Sequence, residues 1–418
     1  MQQKVIFFLV LAVIATTIFS WFNVNSCLII LLVICRLAFG GRPLAVVRTA
    51  FSNRYFLAYF SLFLIEALGL LYTHDLYTAY KHVESKATLV AIPFVLCGGG
   101  FTDRKGYRQL LWGYCFLLAA ACLVCLGVAV TAFRQTGDPD AFFYHSLTEV
   151  LELNAVFFSG YVLCGILFLL SPDGRGRFRS VLIALFTVMM ILLSSKLLLV
   201  LLAVIFLVYL REWGRMRLKT GQLIGFVLLV ILGSGLLAFT KTPMGQRYRE
   251  ILHDDLQYTD TRTIPPNAVF NGVSLRLLIW RFAGEILDEN GRWLIGVSAG
   301  DSQDLLNRKY LEANMSRGFL GYNFHNQYIE VLVRSGIAGL CVFLAAIGVL
   351  VGLARRTGTL EGWFVLGMLL LMAMTESTLE MQHSLFLFAF FPLVFAIPSL
   401  DSLPGSSSPR EGRGSSRS

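Results

Sequence analysis

Charge is scarce in this chain: Asp, Glu, Lys and Arg make up 15% of its 418 residues, against about 25% in an ordinary soluble domain. That shortage, with apolar runs of spanning length recurring from Val5 to Pro398, excludes a soluble fold and indicates an integral membrane protein. The first run, Val5–Trp21, lacks a small-x-small cleavage site behind it (Thr17-Ile18-Phe19-Ser20-Trp21-Phe22), so it reads as a retained span and not a removed leader. The hydrophilic loop from Lys241 to about Arg334 contains no cysteine. All eight cysteines (Cys27, Cys35, Cys97, Cys115, Cys122, Cys125, Cys164, Cys341) lie within or beside apolar runs, which argues against a disulfide framework. Cys122-x-x-Cys125 has metal-like spacing, but its Leu, Ala and Val surroundings favour helix packing. The loop also lacks Asp-x-Asp, and adjacent carboxylates such as Asp254-Asp255 point in different directions on a helix, so no metal site is expected.

What the chain does have is a sequence of apolar segments, expected as twelve helices near 5–22, 26–39, 55–72, 87–101, 110–132, 150–170, 181–194, 197–210, 222–240, 335–354, 362–376 and 383–399. With a cytoplasmic N-terminus, the inner loops collect Arg36, Arg42, Arg48, Arg54, then Arg104, Lys105, Arg108, then Arg175, Arg177, Arg179, then Arg211, Arg215, Arg217, Lys219, and finally Arg355 and Arg356. The short outer loops hold only Lys81, Lys86, Arg134 and Lys196. This is the asymmetry that the positive-inside rule describes. It also accounts for the net charge of +9 without nucleic acid, because the large outer loop carries balanced charge. Basic flanks on both sides of 181–210 require two crossings with a tight turn at Ser194-Ser195-Lys196, which places Lys196 near the outer surface. The expected organisation is therefore 1–240 as spans one to nine, 241–334 as a periplasmic loop domain, 335–400 as spans ten to twelve, and 401–418 as a disordered cytoplasmic tail.

A loop of some ninety residues normally has its own structure and a function. Within it, Leu275, Leu278, Ile279, Phe282 and Ile286 recur at helical spacing, with Ser274 placed to cap the start and Asn290-Gly291 to end the helix. Arg276 and Trp280 stand four apart on one side of that stripe. This pair fits an arginine stacked on an indole, or a guanidinium fork aimed at a phosphate. Gly296 and Gly300 follow a short apolar run, as in a tight turn beside a ligand or another backbone. His325 stands at the start of an amphipathic helix, Gln327–Val333, on the outer face. Glu330 lies four residues before Arg334, the spacing of a structural ion pair.

Ser194-Ser195-Lys196, Ser274-Leu275-Arg276, Gly296-Val297-Ser298-Ala299-Gly300-Asp301, His325-Asn326-Gln327-Tyr328 and Gly336-Ile337-Ala338-Gly339-Leu340, with Thr375-Glu376-Ser377 and Gln382, resemble the bacterial O-antigen ligase/polymerase family. The ligase branch is the nearer. Where that family often has arginine, this chain has Lys196, which keeps the positive charge without the bidentate fork. The resemblance implies a metal-independent membrane glycosyltransferase of C type, about twelve helices with a helical loop domain between spans nine and ten, in the bacterial inner membrane. Its donor would be an undecaprenyl diphosphate-linked glycan and its acceptor the lipid A–core oligosaccharide. On that reading no cofactor is expected, and the partners are donor, acceptor and membrane lipid.

A polyprenyl diphosphate is already a good leaving group, so the enzyme must neutralise charge on it and deprotonate an acceptor hydroxyl. The expected roles are His325 as general base, Arg276 and Lys196, with Arg247 or Arg249, on the diphosphate, and Asn326, Tyr328, Trp280 and Glu376 in support. Rival readings are a repeat-unit polymerase, a protein O-oligosaccharyltransferase and a lipid-linked glycan transporter. Transporters place ionisable groups deep in several spans, whereas here only Glu66 lies well inside an apolar run.

Overall fold

A computed structural model describes residues 2–98, 103–211, 221, 225, 228, 261, 263–265, 268 and 270–397. Arg247, Arg249, His253-Asp254-Asp255, most of the expected span 222–240 and the tail 401–418 lie outside the described residues. Among the described residues the protein is all-helical, with no strand.

The first half builds a bundle from α1 (Gln2–Ile18), α2 (Phe22–Phe39), α3 (Pro43–Phe51), α4 (Arg54–Leu68), α5 (Leu76–Ser85), α6 (Thr88–Cys97), α7 (Arg104–Thr136), α8 (Tyr144–Thr148), α9 (Ala155–Leu170), α10 (Arg179–Leu193) and α11 (Lys196–Arg211). After the loop domain come α14 (Gln327–Thr357), α15 (Leu360–Thr375) and α16 (Gln382–Val394). Helix α9 is apolar all round and buried along almost its whole length, as befits the centre of a bundle. α10, α15 and α16 pack around it. Four helical stretches are long and apolar enough to cross a membrane: Phe22–Phe39, Arg54–Leu71, Arg104–Thr136 and Gln327–Thr357. A fifth is available if Tyr144–Leu151 and Ala155–Leu170, bent by 81°, count as one. Lys4–Ile18, α10, α15 and α16 are apolar but shorter. The protein is thus a helical membrane protein with four or five membrane-capable helices in the described part.

The segment 181–210 is broken, as expected, and the break has a local cause. Ser194 takes φ 52° as the left-handed end of α10, its hydroxyl donates back to the Ile191 carbonyl at 2.8 Å, and α11 restarts at Lys196. A rigid continuous helix cannot pass through that residue.

Between the halves lies a small unit with its own core. Helices α12 (Gly272–Asn290) and α13 (Ala299–Glu312) bury Leu278, Ile279, Phe282, Ile286, Leu306 and Tyr310 together with Phe324 and Val333. This unit meets the bundle through a reciprocal exchange of backbone hydrogen bonds. Gly336 interrupts α14 with φ 65°, ψ −167°. The Val333 and Arg334 carbonyls accept from the Val297 and Ser298 amides at 2.8 and 2.9 Å, while the Ile337 and Ala338 amides donate to Trp293 and Leu294 at 2.8 and 3.1 Å. The two backbones approach so closely that a Cβ on Gly296 would lie 2.4 Å from the Arg334 carbonyl, and one on Gly336 would lie 2.3 Å from that of Leu294. Of the two uses expected for the glycines near 296, close approach to another backbone is the one observed at Gly296.

Candidate active site at the seam of loop and bundle

Arg276 owes its position to the start of α12. The sequence placed Ser274 as the cap; the helix instead begins two residues earlier. The Asn271 side chain accepts from the Val273 and Ser274 amides at 2.8 Å each, and the Ser274 hydroxyl accepts from the Asn271 amide at 3.1 Å. An Asn at N-cap satisfies two orphan amides, so the capping box wins over the later start. Arg276 then lies in the first two turns, its Nη1 donating to the Gly272 carbonyl at 2.8 Å and its Nη2 to the Thr375 carbonyl at 3.0 Å. Stacking on Trp280 is not what the structure shows. The Trp280 indole N–H instead donates to the Phe324 carbonyl at 3.0 Å and so ties α12 to the residue before His325.

His325 takes φ 47°, and its amide donates to Asn323 Oδ1 at 2.9 Å. Asn326 caps α14 by accepting from the Tyr328 and Ile329 amides, and its Nδ2 donates to the Met374 carbonyl at 3.3 Å. Glu376, at the extended residue ending α15, completes the group. Its Oε2 lies 3.4 Å from His325 Nδ1 and its Oε1 3.4 Å from Arg276 Nη2. One carboxylate thus faces the imidazole and the guanidinium at once. Arg276 Nε is buried without an acceptor among the described residues. Such an orphaned donor costs free energy and favours an anion beside it. Tyr328 is not part of this group, because its ring packs against Phe343 in the bundle core at 5.5 Å. Lys196 stands at the start of α11. That helix and α15 pack together, with Tyr209 donating to Glu361 Oε1 at 2.8 Å at their opposite ends, so Lys196 shares the Thr375 end of the bundle.

Residues 181–344 match the family described as O-Antigen ligase. Over that stretch the chain is similar to the O-antigen ligase family. Members of that family are membrane glycosyltransferase-like enzymes, ligases or polymerases. No curated protein matches the chain. The matched region contains Lys196, Arg276, Trp280, His325, Asn326 and Tyr328, and ends before Glu376. The carboxylate that joins the imidazole to the guanidinium therefore comes from beyond the matched region.

The segment just after Glu376 is anchored to the matched region along one stripe of α14. Gln327 Oε1 accepts from the Leu379 amide at 2.6 Å, Glu330 Oε2 from the Ser377 hydroxyl at 2.8 Å, and Arg334 Nη1 donates to Glu380 Oε2 at 2.5 Å. The expected Glu330–Arg334 pair is present at 2.7 Å, but it belongs to a larger buried network. Arg334 also reaches Glu66 at 3.4 Å; Lys86 bridges Glu66 at 2.7 Å and Glu380 at 3.1 Å; and His82 Nδ1 lies 3.6 Å from Glu380. Burial pushes the Glu380 carboxyl up, yet Arg334, Lys86 and His82 outweigh it and hold the group well below the usual carboxylate range. Lys86 and Glu380 were missed in the sequence. The signal available was Glu66, an acid inside an apolar run that required a cation.

Proposed function

We propose that the chain is an O-antigen ligase, transferring a glycan from undecaprenyl diphosphate to the lipid A–core oligosaccharide, with inversion and without a metal. The observation that carries this is Glu376 between His325 and Arg276. A carboxylate on Nδ1 holds the proton there and leaves Nε2 as the basic nitrogen. An acceptor hydroxyl gives its proton to His325 Nε2 as its oxygen bonds to the anomeric carbon. The bond from that carbon to the diphosphate oxygen breaks, and undecaprenyl diphosphate leaves with both electrons. Arg276 turns from Glu376 to the phosphates, helped by Lys196 and by Arg247 or Arg249, and this stabilises the charge that develops there. Asn326 keeps the imidazole and the end of α15 in register through its bond to Met374.

The same proposal places the chain in a bacterial inner membrane with twelve crossings, both termini cytoplasmic and the α12–α13 unit periplasmic. The support is the collection of arginines on one set of loops. The test is glycan transfer in membranes carrying His325→Ala, Arg276→Ala or Glu376→Gln at normal expression. Each is expected to lose about a hundredfold or more in rate, the size of a lost general base or charge clamp. Normal transfer by His325→Ala would remove the base. A lipopolysaccharide ladder with one repeat unit still attached in a deletion strain would assign polymerase in place of ligase.

A further inference from the structure

Away from His325 and Arg276, the loop unit and the α4–α5 turn enclose a cleft of about 620 Å3, within the range of small-ligand sites, roughly 300–1,000 Å3. Helix α13 is its wall, and it has two working stripes. Gln303, Asn307 and Tyr310 hold the backbone that leads to His325: Gln303 Nε2 and the Tyr310 hydroxyl donate to the Tyr322 carbonyl, and Asn307 Oδ1 accepts from the Gly321 amide. The other stripe, Asp301, Asp304 and Arg308, lines the cleft.

The charges in the cleft are of two kinds. Asp301 is engaged, accepting from the His74 and Asp75 amides and from the His74 ring at 3.0–3.2 Å. It therefore belongs to the wall. A Cβ on neighbouring Gly300 would lie 2.3 Å from the Asp75 carbonyl, so that wall is packed backbone to backbone and stands preformed. Arg292 and Arg308 are different. Neither has a carboxylate within ion-pair distance among the described residues, although Asp304 precedes Arg308 by one helical turn. Arg292 instead lies over the Tyr72 ring, 6.0 Å from its centroid. Two open guanidiniums, one open carboxylate and a tyrosine make a surface for hydroxyls and sugar faces, with the cationic pair selecting a negative substituent.

We infer that this cleft is a second binding site, for a saccharide bearing phosphate or carboxylate groups, separate from the group around His325. The assignment rests on the transfer reading only in naming the ligand as one of its two substrates. Its test uses the full chain in detergent with three probes: a deacylated, phosphorylated core oligosaccharide, the same after phosphatase treatment, and an acidic O-antigen fragment without diphosphate. Wild-type is expected to bind a charged probe, and Arg292→Gln with Arg308→Gln to bind it about tenfold or more weakly. Phosphatase treatment is expected to weaken wild-type binding of the core alike, and His325→Ala to bind as wild-type does. Arginine-dependent binding of the core makes the cleft an acceptor site; the same behaviour of the O-antigen fragment alone makes it a donor-glycan site. Equal binding by wild-type and double variant, or no binding of either charged probe, overturns the inference. If His325→Ala transfers normally while the double variant loses binding, the catalytic reading falls and the cleft stands.

Discussion

The buried network around Arg334 gives the sharpest quantitative expectation. Three carboxylates, Glu66, Glu330 and Glu380, share two cations, Lys86 and Arg334, and all five side chains are less than 10% exposed. Arg334→Met leaves the three acids with Lys86 as the buried cation among the described residues, and half-buried His82 reaches only Glu380. Breaking a buried pair by removing one partner costs about 3–5 kcal/mol, because the charge left behind is neither solvated nor neutralised. Arg334 serves three acids, so its loss is expected at the upper end of that range. Glu330→Gln acts in the opposite sense. It removes the excess negative charge, matches two acids to two cations, and keeps an oxygen that can accept from Ser377. Its cost is expected below about 1 kcal/mol. Thermal melting of the purified chain in one detergent, with both variants side by side, reads the difference. A melt for Arg334→Met at the wild-type temperature, or a loss in Glu330→Gln equal to that in Arg334→Met, would refute the charge arithmetic.

Two further expectations concern geometry and protons. Gly336→Ala forces a φ of 65° with ψ near 180° on a residue with a Cβ and drives that atom into Leu294, so it should cost more than the roughly 1–3 kcal/mol of backbone strain alone. Gly284→Ala, mid-helix with open space at its Cβ, should instead gain about 0.5–1 kcal/mol, and melting of the two variants distinguishes them. Burial raises the Asp301 carboxyl, but the His74 and Asp75 amides outweigh it and hold it below its usual value. Its folded pKa is the lower one, so its stabilisation is full above the unfolded value near 3.9 and is lost as pH falls through the folded value. The protection factor of the amides at the 72–76 turn, observed exchange set against the intrinsic rate at each pH, should therefore be independent of pH above about 5 and fall only in stronger acid, whereas Asp301→Asn should lower it at neutral pH. A protection factor that already falls at pH 6 would contradict this assignment.

How much of this was legible in the sequence depended on the range of the interaction. The α12 stripe and the His325 helix were readable because apolar periodicity is local. So was the break at Ser194, since basic residues flank it on both sides. Asn271 was missed as the cap because Ser274 also fits a helix start, and only the capping box uses both. Glu376 stands only among the supporting residues in the sequence because an acid at an extended residue has no periodic signature; its weight comes from two partners, 51 and 100 residues away in the chain. Lys86 was counted as one more outer-loop charge for the same reason. Its two acids sit on other elements, and nothing in the residues around it announces them.

The exchange of hydrogen bonds at Gly336 has a consequence for how this molecule is assembled. The part of α14 before Gly336, capped by Asn326 and carrying Glu330 and Arg334, cannot satisfy its last carbonyls by continuing as a helix, because the next two amides donate to Trp293 and Leu294. Segment 293–298 must already be docked before that end is complete, and docking requires glycine on both sides of the crossing. Completing α14 and folding the α12–α13 unit are therefore one cooperative event. Neither glycine can take a side chain, since a Cβ on Gly296 runs into the Arg334–Ser335 backbone and one on Gly336 into the Leu294–Ile295 backbone.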